Sequence, residues 1–133
     1  ATLLSGAVPP KEPEGGYFIE PAIFTNVRND MRIAREEIFG PVLCVLTYKT
    51  LDEAASIAND TMYGLNAAVW GKKDEAVAMA KRIRAGNVYV NDGPRDITAP
   101  FGGMKASGLG REGGPEGLFA FTEWRAIFEK GVL

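Results

Sequence analysis

Histidine is absent from the 133 residues, and cysteine occurs once. The first absence removes imidazole from any catalytic or zinc-binding scheme, and the second forbids an internal disulfide. No apolar run is long enough to cross a bilayer, and Ala1 to Val8 lacks the basic start and apolar core of a secretory leader. A cytoplasmic protein without a membrane partner is therefore expected. There is no basic excess: 15 lysines and arginines against 17 acids give a net charge of -2 with the signs interspersed, so nucleic acid is not an expected partner. What is present is ordinary for a globular chain. Apolar residues make up 46% and charged residues 24%, and the length suits one domain with a sizeable core. No internal repeat is visible.

Ala1 to Gly16 carries Pro9, Pro10, Pro13, Gly15 and Gly16 and reads as loop, an opening that suggests a chain cut from something larger. Tyr17 to Phe24 offers two short aromatic and β-branched runs split by Pro21, which fits an amino-terminal hairpin at a sheet edge. Asp30 is expected to cap a short helical run, Met31 to Arg35. Val42 to Tyr48 is nearly all apolar, the pattern of a strand covered on both faces. Thr50-Leu51-Asp52-Glu53 is a capping box opening a helix that Gly64 ends. Leu65 to Trp70 gives a second strand, Asp74 is expected to cap another helix, and Val88-Tyr89-Val90 gives a third strand. The alternation predicts an α/β fold: a three-layer, parallel β-α-β-α-β unit.

Glu36-Glu37-Ile38-Phe39-Gly40-Pro41 stands at the mouth of the first of those strands. A carboxylate there suits the hydroxyls of a diol and the Phe39 ring suits a planar heterocycle, although a helix end with two solvated acids is the reading that these residues alone favour. Cys44, between Leu43 and Val45, lacks the cations or helix start that lower a thiol pKa and is expected to be a small core residue. Gly108-Leu109-Gly110-Arg111-Glu112-Gly113 fits Gly-x-Gly-x-x-Gly, but loop precedes it where a dinucleotide-binding turn needs a strand. A structural turn is expected.

Taken in order, Glu37-Ile38-Phe39-Gly40-Pro41, Tyr63-Gly64-Leu65, Gly86-Asn87-Val88-Tyr89-Val90-Asn91 and Pro100-Phe101-Gly102-Gly103-Met104-Lys105-Ala106-Ser107-Gly108-Leu109-Gly110-Arg111-Glu112 resemble the carboxy-terminal part of the aldehyde dehydrogenase superfamily. The resemblance runs from about Gly16 to about Arg125. It implies oxidation of an aldehyde through a thiohemiacetal on a cysteine, hydride transfer to NAD or NADP, and thioester hydrolysis. In the family the cysteine and the general-base glutamate lie upstream of the matching part, so neither is carried over, and the chain alone is expected to be inactive. Residues 1–133 are expected to be the carboxy-terminal portion of the catalytic region, completed by the remainder of the dehydrogenase chain.

By the same resemblance, Glu37 binds the nicotinamide ribose hydroxyls and Phe39 packs near the nicotinamide ring. Phe101 lines the aldehyde pocket, or is an ordinary buried ring. Glu112 matches a buried acid that helps relay protons, with a salt bridge to Arg111 or Lys105 as the plainer role. Lys105 and Gly108 fall where some members hold a structural monovalent cation with backbone carbonyls. Arg95-Asp96-Ile97-Thr98-Ala99-Pro100-Phe101 looks like the loop of members acting on muconic semialdehydes. Arg95 there suits an aldehyde bearing a carboxylate, or else pairs with Asp96 or Asp92. The family also builds homo-oligomers with a late strand, for which Phe119 to Leu133 is the candidate. A non-catalytic interaction module derived from the fold is the alternative function.

Overall fold

Prolines mark where the first strands begin. Pro21 and Pro41 each stand just ahead of a strand, where a missing N–H breaks no ladder. The computed structural model describes residues 1–8 and 16–131 and divides into two compact units, Ala1–Thr61 and Met62–Leu133. In the first, β1 (Thr2–Ser5) pairs antiparallel with β2 (Ala22–Thr25), which pairs in parallel with β3 (Val42–Cys44). The Pro41 carbonyl accepts from the Ala22 N–H at 2.9 Å and locks the start of the parallel pair.

The hairpin expected within Tyr17 to Phe24 does not form: an antiparallel edge pair is present, but Thr2–Ser5 supplies its outer strand where loop was expected, and Tyr17 to Ile19 has no regular structure. Leu3 opposite Phe24 and Thr2 opposite Thr25 give the outer strand its partners. The loop expected over Pro9 to Gly15 lies outside the described residues.

The single-turn α1 (Arg32–Arg35) has Met31 at its N-cap without a side-chain cap, because the Asp30 carboxylate is drawn back onto Arg28 at 3.1 Å. The N-cap of α2 (Leu51–Asn59) forms, Thr50 Oγ1 accepting from the Glu53 N–H at 3.1 Å, while the returning Glu53 Oε2 takes the N–H of Lys49, one residue before the cap, at 2.7 Å. β3 is shorter than expected and is not covered on both faces, Leu43 being 58% exposed. Ala22, Val27 and Ala55 are the buried apolar residues of this unit among the described residues.

In the second unit β4 (Asn66–Val69) and β5 (Asn87–Val90) run parallel and in register, Ala67 beside Val88 and Val69 beside Val90. The connecting α3 (Lys73–Ala80) packs on both strands and buries Ala76. Asp74 lies in its first turn, while Lys72 occupies the N-cap. Gly86 is required where β5 begins, since a Cβ there would lie 1.6 Å from the Gly102 carbonyl oxygen. The fold class is α/β with parallel strands, and the strands divide between a three-stranded and a two-stranded sheet.

Beyond β5 come a 3-10 turn (Lys105–Ser107), the short α4 (Gly114–Leu118) and a second 3-10 turn (Phe119–Phe121). Thr122 to Gly131 forms no strand. A strand needs a neighbour to take its backbone groups, and none lies beside this segment among the described residues.

Candidate functional site

In the first unit α1 hands the chain to Glu36, whose N–H donates to the Arg32 carbonyl at 3.0 Å and whose carboxylate takes the Arg32 Nε at 2.7 Å. The two adjacent acids are thereby separated in role. Glu37 is exposed, and its carboxylate has no hydrogen-bond partner among the described residues. Two residues on, Phe39 sits at φ +54° with its ring 92% exposed. A bulky side chain in the left-handed region carries strain, which proteins tolerate chiefly where the geometry is used. An exposed carboxylate followed by an exposed aromatic face suits a ribose diol joined to a planar heterocycle. Cys44, half-buried in β3, makes only a weak S–H contact to the Ile33 carbonyl at 3.5 Å, in keeping with a packing role.

The second unit builds a loop held at both ends. At the close of β5 the Asn91 N–H donates to the Val69 carbonyl at 3.0 Å. Its side-chain amide then clasps Gly71, Oδ1 accepting from the Gly71 N–H and Nδ2 donating to the Gly71 carbonyl, both at 2.9 Å. Asn91 and Asp92 both lie at positive φ, +49° and +60°, and turn the chain out of the sheet. At the other end Phe101 and Glu112 form an antiparallel bridge through paired backbone bonds of 2.7 and 2.8 Å.

Between these anchors the Arg95 guanidinium stands over the Phe101 ring, 4.3 Å from its centroid. Asp96 is occupied by Thr98, accepting from its N–H at 2.8 Å and its hydroxyl at 2.7 Å. The Thr98 hydroxyl and then its N–H hold the Asp96 carboxyl below its ordinary value. A concavity of about 500 Å³ lies here, lined among others by Asn87, Tyr89, Pro94, Arg95 and Pro100. Asn87 Nδ2 is buried and unpartnered among the described residues.

The loop therefore brings together Arg95 and Phe101, and Arg95 pairs with neither Asp92 nor Asp96 among the described residues. Phe101 is half-buried, neither a core ring nor a free one. Glu112 departs from expectation: its backbone is engaged by Phe101, but its side chain is exposed in this unit. Its neighbour Arg111 is held by the Gly103 and Gly110 carbonyls at 2.8 and 2.6 Å instead of by Glu112. Lys105, at φ +56°, opens the first 3-10 turn and Gly108, at φ +135°, closes it. The Gly-x-Gly-x-x-Gly stretch contains that bridge and positive-φ turns at Gly108, Gly110 and Gly113, and no strand leads into it. Sequence reasoning missed the clasp of Asn91 on Gly71, for which adjacent Asn91 and Asp92 after an apolar run were the available signal.

A profile described as the aldehyde dehydrogenase family matches residues 1–127. A geranial dehydrogenase of Castellaniella defragrans is 48% identical over 117 residues, covering 87% of this chain and 24% of that protein. Among solved structures, a Mycobacterium tuberculosis aldehyde dehydrogenase complexed with NAD+ superposes with a TM-score of 0.86 at 44% identity, over 91% of this chain and 25% of that one. Aldehyde dehydrogenase C of Pseudomonas syringae, complexed with NAD+ and octanal, gives 0.81 at 51% identity, over 86% and 24%. The chain spans about a quarter of the length of the relatives it matches.

Proposed function

The chain belongs to the aldehyde dehydrogenase family, and from that premise we propose that it forms part of an enzyme oxidising an aldehyde to a carboxylic acid with NAD or NADP. The observation that carries this reading is Phe39, an exposed ring on a strained backbone two residues after an exposed carboxylate. The nicotinamide, when bound, supplies the hydride acceptor. Glu37 accepts hydrogen bonds from the ribose hydroxyls, and Phe39 offers its face to the nicotinamide ring and limits how that ring can turn. Phe101 forms a wall of the aldehyde pocket, and Arg95 above it holds a carboxylate carried by the substrate. Glu112, exposed where its backbone meets Phe101, passes a proton to water.

The test uses the whole protein that carries this chain, supplied with NAD or NADP and two aldehydes alike except for a distal carboxylate. Reduced nicotinamide should form, faster with the carboxylated aldehyde. No turnover with either aldehyde and either cofactor would remove the reading. The 133-residue chain assayed by itself is expected to give none, since no residue in it matches the family's nucleophilic cysteine.

A second reading, an interaction module joining copies of the protein, draws on the carboxy-terminal aromatics. Phe121, Trp124 and Phe128 are 89%, 94% and 93% exposed within a short span, a density of bare rings that suits a partner. A monomer whose mass in light scattering is independent of concentration would count against it.

A further inference from the structure

A one-turn helix does not hold itself together, because its few hydrogen bonds do not offset the cost of nucleation. The direction in which α1 delivers Glu37 and Phe39 must come from outside it. The ties run to Asp60. Arg35, the last residue of α1, donates from one guanidinium nitrogen to the Asp60 carboxylate and to its carbonyl, the latter at 3.1 Å. Asn29, just before α1, donates from Nδ2 to the same carboxylate oxygen at 2.6 Å. Asp60 is itself fixed as the C-cap of α2, its N–H shared between the Ser56 and Ile57 carbonyls at 2.9 and 3.2 Å. Both ends of α1 are thus fastened to the end of a longer, capped helix.

Resting on the cofactor reading given above for Glu37 and Phe39, we infer that Asp60, with Arg35, is a positioning residue for the nicotinamide grip. It touches no ligand. It sets where the segment two to four residues beyond Arg35 presents its carboxylate and its ring. The side chains of the pair are 42% and 54% exposed, and exposed ion pairs contribute little to stability. A purely structural role would therefore leave little trace, whereas a positioning role shows in cofactor binding.

The experiment compares the whole wild-type protein with Asp60→Ala, Arg35→Lys and Lys72→Ala, the last breaking the exposed Lys72–Glu75 ion pair of the second unit. NADH binding is followed by its fluorescence, and thermal midpoints and steady-state kinetics are measured in parallel. Asp60→Ala should weaken NADH and raise the KM for NAD roughly tenfold, the size expected of a residue acting through its neighbours, with kcat at saturating NAD and the aldehyde KM within about twofold. Arg35→Lys, which keeps the charge but not the two-acceptor reach, should fall between, and Lys72→Ala should match wild type. Wild-type affinity in both Asp60→Ala and Arg35→Lys overturns the inference while the cofactor reading stands. An equal loss in Lys72→Ala overturns it as well. A wild-type protein that binds no NADH overturns both readings. Should Asp60→Ala fail to fold, Arg35→Lys decides.

Discussion

The guanidinium carbon of Arg95 lies over the Phe101 ring, 4.3 Å from its centroid, within the range of a cation–π contact. No hydrogen bond or ion pair occupies this guanidinium among the described residues, so its N–H groups can take a planar anion. Replacing Arg95 by methionine keeps an apolar stem on the ring and removes the fork. The kcat/KM for a carboxylated aldehyde should fall about tenfold or more, the worth of a charge-assisted pair, while a neutral aldehyde of equal length changes little. Equal losses for both aldehydes would assign Arg95 to loop structure alone.

Phe39 allows stability and binding to be moved in opposite directions. Its φ of +54° is costly for an aromatic residue and free for glycine. Phe39→Gly should raise the midpoint of unfolding, or leave it unchanged where chain entropy offsets the relief of about 1 kcal/mol of strain. The same change removes the ring and should raise the KM for NAD. A destabilised variant with unaltered cofactor binding would mean that Phe39 is a packing residue.

Asn91 joins the end of β5 to Gly71 by two side-chain bonds that copy a backbone ladder. Asn91→Ala loses both and keeps an unfavourable positive φ, so a loss of about 2 kcal/mol is expected, with an unchanged denaturant m-value. Asn91→Gly relieves the backbone and should recover part of it. Hydrogen exchange at Gly71 should quicken in both. Protection at Gly71 equal to wild type would show that the clasp does not hold in solution.

The parallel strands and the α2 N-cap were legible because their signals are local. Apolar runs, the Thr50–Glu53 spacing and turn glycines act within a few residues of themselves. The outer strand Thr2–Ser5 was missed because four residues among turn formers carry little pattern, and only pairing with Ala22–Thr25 makes them a strand. Asp30 and Asp74 were misread as caps for a related reason: Arg28 competes for the first, and α3 begins two residues earlier than a cap at the second requires. Arg95 over Phe101 joins residues six apart through a bend that no propensity encodes. The Asp60 node lies further still beyond reach, since it spans 25 residues between helices whose packing the sequence does not announce.

Asp96 gives the Arg95 loop a response to acid. The Thr98 hydroxyl bond, then the Thr98 N–H bond, lower its carboxyl from an ordinary 3.8. A carboxyl depressed in the folded state contributes stability that is fully present above its unfolded value and is lost as pH falls through the folded one. The turn should therefore persist from neutral pH down to about the ordinary carboxylate value and open only below it, and Asp96→Asn should abolish that response. The Thr98 amide proton, followed by NMR through an acid titration of the whole protein, reads the event directly. A midpoint at or above 3.8 would show that the Thr98 bonds do not favour the ionised carboxylate.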